Sequence, residues 1–134
     1  MHVLRGSAMR IDQWMTADPC CVQRDEPLRN AHRLMRMRKI RHLPVLQGEK
    51  LVGLVSERDL FLLETVRSVK PEKEPVEEAM TERPYAVAPT ANVREVVEEM
   101  LARRYGSAVV VDRGRVVGIF TRADALRALR DLLR

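Results

Sequence analysis

Residues 53–59 read Gly-Leu-Val-Ser-Glu-Arg-Asp, and the pattern returns at residues 118–124 as Gly-Ile-Phe-Thr-Arg-Ala-Asp. In each copy a β-rich apolar run, residues 51–55 or 116–120, ends in a hydroxyl residue, Ser56 or Thr121. An aspartate, Asp59 or Asp124, follows three positions later. A strand that turns into a helix at such a point exposes backbone N–H groups beside a hydroxyl and a carboxylate, which suits a ribose or a phosphate. The same spacing is also a variant of the capping box, which satisfies itself and needs no ligand. The repetition is what weighs towards a site.

The repeat extends outward from this motif. Met15-Thr16 and Met80-Thr81 are identical pairs, Pro19 matches Pro84 and Val22 matches Val87, so short extended pieces are expected near residues 20–23 and 85–88. Leu28, Ala31 and Met35 align with Val93, Val96 and Met100, apolar positions at i, i+3 and i+7 that predict one buried helical stripe per copy. Pro27 suits the first turn of its helix, and Thr90 or Asn92 is placed to cap the second. Two hairpins follow, residues 43–55 around Gln47-Gly48-Glu49 and residues 108–120 around Asp112-Arg113-Gly114. Their nearly continuous apolar runs predict strands covered on both faces. A closing helix is expected from 57 to about 66 and from 122 to about 133.

Residues 15–59 and 80–124 align without insertion or deletion. The fold class expected is therefore α/β (α+β), two β-α-β-β-α repeats packed about a pseudo-twofold axis with two related clefts between them. The division expected is residues 1–9 as an N-terminal arm or tag remnant, 10–66 as the first repeat, 67–75 as a charged linker twice broken by proline, and 76–134 as the second repeat.

Aliphatic residues dominate the 46% hydrophobic content and only 4% is aromatic, so the core should be aliphatic. The formal charge of +5 is modest, and residues 1–67 carry most of the excess. Cys20 and Cys21, adjacent in sequence, are poorly placed to bridge each other and read as reduced strand residues. His2, His32 and His42 do not complete a metal-ligand spacing with them. No apolar run approaches a membrane span, and the N-terminus lacks a signal-peptide core, so a cytoplasmic location is expected.

With the Met-Thr starts, the helix stripes, Lys-Ile-Arg-His-Leu-Pro-Val at residues 39–45 and the paired Gly-x-x-[Ser/Thr]-x-x-Asp, the chain resembles a tandem cystathionine-β-synthase (CBS) domain pair, the Bateman module, over roughly residues 10–132. Such modules occur as regulatory parts of IMP dehydrogenases, AMP-activated kinase, chloride channels and magnesium transporters, and as stand-alone proteins. The resemblance implies an adenosine-type ligand in a cleft between repeats. It assigns Asp59 and Asp124 to the ribose hydroxyls, with Ser56 and Thr121 near the ribose or phosphate. The base is expected against Cys21 and Val22 with Leu43 and Pro44, or against Ala86 and Val87 with Ala108 and Val109. Lys39, Arg41 and His42 fall where the family places basic residues for phosphate, and Arg58 and Arg122 adjoin the aspartates. In the second copy Arg104-Tyr105-Gly106-Ser107 stands in place of Lys39-Ile40-Arg41-His42, and Val109 in place of Pro44. Unequal clefts are expected, the first preferring polyanionic ligands; a surface histidine without function is the plain alternative for His42.

Arg29, Arg33, Arg36, Arg38, Lys39 and Arg41 form a run without an acid. Its first three members lie opposite the buried stripe and read as solvated, and the missing aromatics and DNA-binding motifs disfavour nucleic acid. Met35 and Met100 read as core filler. Leu126, Leu129, Leu132 and Leu133 make a leucine face on the last helix that predicts dimerisation, in keeping with the discs into which Bateman modules pair. No nucleophile, base and orienting group recur at a catalytic spacing, so no enzyme is expected.

The reading is thus a regulatory module that needs no cofactor, senses AMP, ADP or ATP (S-adenosylmethionine or a dinucleotide ranking behind), acts as a homodimer and signals to an unidentified effector protein. Its alternatives are a ligand-independent interaction module and a sensor of a divalent metal such as Mg²⁺, for which the glutamates at 72–78 and 95–99 are the candidate donors. Asp59→Ala and Asp124→Ala are each expected to weaken one cleft, at a stability cost of about 0.5–2 kcal/mol.

Overall fold

The structure, a computed structural model, describes residues 9–134; most of the expected N-terminal arm lies outside the described residues. The elements, in chain order, are β1 (Thr16–Ala17), β2 (Val22–Gln23), α1 (Leu28–Arg38), β3 (His42–Gln47), β4 (Lys50–Ser56), α2 (Glu57–Glu64), β5 (Thr81–Glu82), β6 (Ala86–Val87), α3 (Val93–Arg103), β7 (Ser107–Asp112), β8 (Arg115–Thr121) and α4 (Arg122–Leu132), with 3₁₀ turns at Ile11–Gln13 and Val76–Glu78. The α/β class, the stripes and the hairpins are as the sequence leads one to expect. The extended pieces are two residues long rather than four, so Cys20 and Cys21 precede β2, and the closing helices end one or two residues earlier.

The chain divides into two compact units, residues 20–84 and residues 85–134 joined by the segment that ends at Pro19. In the first, a sheet of order β2-β3-β4-β5 pairs β2 parallel to β3 and the other neighbours antiparallel. Its core gathers Val22, Leu28, Ala31, Met35, Leu43, Val45, Val55 and Leu60. In the second, the order is β1-β8-β7-β6, β6 parallel to β7, around Ile11, Val93, Val96, Met100, Ala108, Val110 and Phe120. The buried stripes of α1 and α3 supply three residues to each core, which is the transfer of apolar surface that holds such short helices in place.

Sequence repeat and compact unit are different divisions of the chain. The Met-Thr strand of the first repeat, β1, joins the sheet of the second, with Thr16 opposite Ile119. The Met-Thr strand of the second, β5, joins the sheet of the first, with Thr81 opposite Leu54. The glycine that opens each motif makes room for this. A Cβ at Gly53 would run into the Met80 sulfur and come within 2.9 Å of its Cγ and 3.0 Å of the Thr81 carbonyl oxygen. A Cβ at Gly118 would run into the Met15 sulfur and come within 2.9 Å of Met15 Cγ and Cε. The repeated methionine and the repeated glycine are therefore one packing device, a sulfur seated on a bare backbone.

Residues 67–75 are more than a linker. Pro27 offers α1 no side-chain cap, and the segment supplies carbonyls instead: Leu28 N–H donates to the Glu74 carbonyl at 2.8 Å and Arg29 N–H to that of Pro71 at 2.9 Å. In the other unit Asn92 caps α3, its Oδ1 accepting from Arg94 N–H at 2.9 Å and Glu95 N–H at 3.3 Å, while Val93 N–H donates to the Met9 carbonyl at 3.0 Å. Met9, at the edge of the expected arm, is thus tied to the fold. His32 Nε2 meets Glu64 Oε2 at 2.6 Å and joins α1 to α2.

Candidate functional site

β4 carries Ser56 to the start of α2, where both faces of the hydroxyl are used. Asp59 N–H donates to Ser56 Oγ at 3.1 Å, and Asp59 Oδ2 accepts from Ser56 N–H at 2.9 Å and from Ser56 Oγ at 2.8 Å. The capping box is therefore real. It consumes one carboxylate oxygen. Asp59 is half-buried, and among the described residues its Oδ1 accepts no hydrogen bond.

The basic stretch is brought to the same end of the helix. Lys39 ends α1 in the left-handed conformation, at φ 55°, which turns the chain back towards the sheet. The Arg41 carbonyl then accepts the Glu57 N–H at 2.9 Å, and His42 stands directly opposite Ser56 in the β3–β4 register. Lys39, Arg41 and Arg58 are exposed and His42 is partly so. Ser56, Asp59, His42 and Arg41 thus share one corner of residues 20–84, with two further cations nearby.

Several residues expected near a base are buried. Val22, Leu43 and Ala108 are buried in the two cores, and Pro44 and Val109 are buried as well. Val22 lies beside Val45 and Ala86 beside Val109 in parallel pairing, so these positions help fix the sheets. Cys21 is half-buried, and burial, reinforced by Cys20, pushes its thiol up to about 11. It remains a protonated thiol and a poor nucleophile or metal ligand at neutral pH. Ala86 is exposed and Val87 half-buried. Next to them Tyr85 and Tyr105 stack, ring centroids 5.2 Å apart, a contact that the two scattered tyrosines did not announce. Burial raises the Tyr85 phenol above its usual range, helped by Glu99, Tyr105 and Glu95.

At the second motif Thr121 and Asp124 repeat the capping box, but the carboxylate is full. Asp124 Oδ2 accepts from Thr121 N–H at 2.9 Å and Thr121 Oγ1 at 3.2 Å, while Oδ1 accepts from Thr16 Oγ1 at 2.8 Å and Arg127 Nη2 at 2.6 Å. Asp124 is only 3% exposed. A ribose there would have to displace Thr16 or Arg127. Arg122 is exposed, and Ser107, opposite Thr121 where the other copy has His42, is buried with no partner for its Oγ among the described residues. Thr16 stands out in the sequence only as part of a repeat marker, and nothing in the repeated motif points to Arg127.

An open depression of about 300 Å³ is lined by Arg24, Lys50, Leu51, Met80, Arg83 and Pro84. It lies at the hairpin end of β4 while Asp59 lies beyond the other end, so it adds no group to the site. Among the described residues no three of His, Cys, Asp and Glu gather as a metal site, and no helix is long and apolar enough to cross a membrane. The glutamates at 72–78 and 95–99 therefore form no donor set for Mg²⁺.

A family model described as the CBS domain matches residues 11–64 and again residues 76–131. Protein YlbB of Bacillus subtilis is 33% identical over 118 residues, 86% of this chain and 78% of that protein. The inosine-5'-monophosphate dehydrogenase of Korarchaeum cryptofilum is 30% identical over 116 residues, and there the chain spans only 23% of the relative's length. Among solved structures, AcuB from Vibrio cholerae superposes with a TM-score of 0.85 at 32% identity, covering 93% of each chain. CBSX2, a protein of Arabidopsis thaliana, solved in complex with AMP, superposes with a TM-score of 0.79 at 26% identity over 93% of this chain and 98% of that one.

Proposed function

Starting from the fact that the chain belongs to the CBS domain family and carries the domain twice, we propose that it is a regulatory module that binds an adenosine-containing nucleotide at Asp59 and signals the bound state to a partner protein. AMP, ADP and ATP are the first candidates. The observation that carries this reading is the open Oδ1 of Asp59 beside Ser56 and His42. A carboxylate with a vacant oxygen accepts a ribose hydroxyl without first giving up a bond. Arg41, Lys39 and Arg58 lie within the same corner, exposed, as donors for phosphate. The AMP complex of CBSX2 supports the ligand class.

Two helix faces fit the signalling half of this reading. Leu126, Leu129 and Leu133 are exposed in and just after α4, as are Phe61, Leu62 and Val66 in and after α2. Apolar rows of this kind on short helices suit a second copy of the chain. Sedimentation is expected to give the mass of two chains, and a single-chain mass at micromolar concentration would remove the homodimer.

A thermal-shift panel of AMP, ADP, ATP, S-adenosylmethionine, NAD and cyclic dinucleotides tests the function. A ligand that binds only the folded chain raises the melting temperature by mass action. One adenine compound is expected to do so, and added salt is expected to weaken ATP more than adenosine. A flat panel would overturn the nucleotide reading in favour of a ligand-independent interaction module.

A further inference from the structure

The two hydroxyl-x-x-Asp motifs are equal in sequence pattern and unequal in state. Position 127 lies three residues after Asp124 and position 62 three residues after Asp59, the same place on the second turns of α4 and α2. The first is an arginine whose guanidinium is 2.6 Å from Asp124 Oδ1. The second is a leucine, 60% exposed, which offers Asp59 no donor. Thr16 and Thr81 are likewise equivalent, opposite Ile119 and Leu54 in their sheets. Thr16 Oγ1 donates to Asp124 at 2.8 Å. The Thr81 hydroxyl is exposed and makes no hydrogen bond among the described residues.

We infer that Arg127 is the built-in occupant of the second site, and that the Arg127–Leu62 difference restricts nucleotide binding to one per chain, at Asp59. This rests on the nucleotide reading above. Exchanging Thr16 for a ribose hydroxyl at Asp124 is nearly an even trade, one neutral donor for another. Exchanging Arg127 is not, because its guanidinium carries a full charge whose attraction to the carboxylate adds to the hydrogen bond, and a neutral hydroxyl supplies only the bond. The ribose brings only neutral donors, so the ion pair wins at ligand concentrations that fill Asp59. Arg127 is itself half-exposed, which leaves it free to be replaced without disturbing the core.

Calorimetric titration with AMP of the parent chain, Arg127→Leu and Leu62→Arg tests the inference. The parent is expected to bind one nucleotide per chain. Arg127→Leu is expected to bind two, and Leu62→Arg, which recreates the ion pair beside Asp59, to bind at the parent site at least tenfold more weakly. Both substitutions are at exposed positions, so folding is expected to survive; circular dichroism checks it, and sedimentation checks that the charge placed on the apolar row of α2 leaves the assembly as in the parent. Two nucleotides per parent chain would overturn the inference and leave the nucleotide reading standing, as would an unchanged single site in both variants. No binding by the parent or either variant would overturn the nucleotide reading itself, and the inference with it.

Discussion

Asp124→Ala is expected to lower the unfolding free energy by about 2–4 kcal/mol, roughly two to four times the cost of Asp59→Ala. Losing the acid of a capping box costs about 0.5–2 kcal/mol, which is the whole effect expected at half-exposed Asp59. At Asp124 the same loss is joined by two more. The Thr16 hydroxyl gives up its bond to a buried carboxylate, and with it a tie between β1 and the start of α4. The Arg127 pair goes as well, although its exposed guanidinium returns to water and recovers part of the loss. A hydrogen bond to a charged group is worth about 1.5–3 kcal/mol, so the Thr16 bond decides the difference. The equal, small costs expected from the repeated motif alone are thus corrected for Asp124 by its burial. Urea denaturation of the two variants checks the ranking, and equal midpoints would remove the structural role given to Asp124.

Much of this fold is legible in the sequence because its signals are periodic. Leu28, Ala31 and Met35 and their counterparts mark buried helix faces, and the apolar runs of β3, β4, β7 and β8 are long enough to state their own pairing. The exchange of β1 and β5 is not legible. A strand of two residues has no period, and Gly53 and Gly118 present the same bare backbone to either methionine. Nothing local to Met15-Thr16 says which sheet it joins. The state of the two sites was hidden for a related reason. The motif ends at the aspartate, whereas the residues that close it, Thr16 and Arg127, lie on another strand and on the next turn of the helix. Likewise Val22 and Ala108 align with a binding pattern by position, and only the packed sheets reveal that both side chains sit in the cores.

Asp59→Ala is expected to abolish most nucleotide affinity while leaving the fold intact. A ribose held through its hydroxyls by one carboxylate loses about 1.5–3 kcal/mol of charge-assisted hydrogen bonding when that group is removed, ten- to a hundredfold in affinity. Ser56, Arg41 and His42 remain, and retain any phosphate contacts, so ATP is expected to lose less than adenosine. Their persistence also separates a lost contact from a lost fold, since α2 keeps Ser56 as its N-cap in the variant.

The most direct test of the central claim is therefore a pair of calorimetric titrations, AMP into the parent chain and AMP into Asp59→Ala at matched ionic strength. Saturable binding by the parent, weakened at least tenfold in a variant with an unchanged circular dichroism spectrum, is the predicted result. Equal affinity in the two proteins would contradict the placement of the ligand at Asp59.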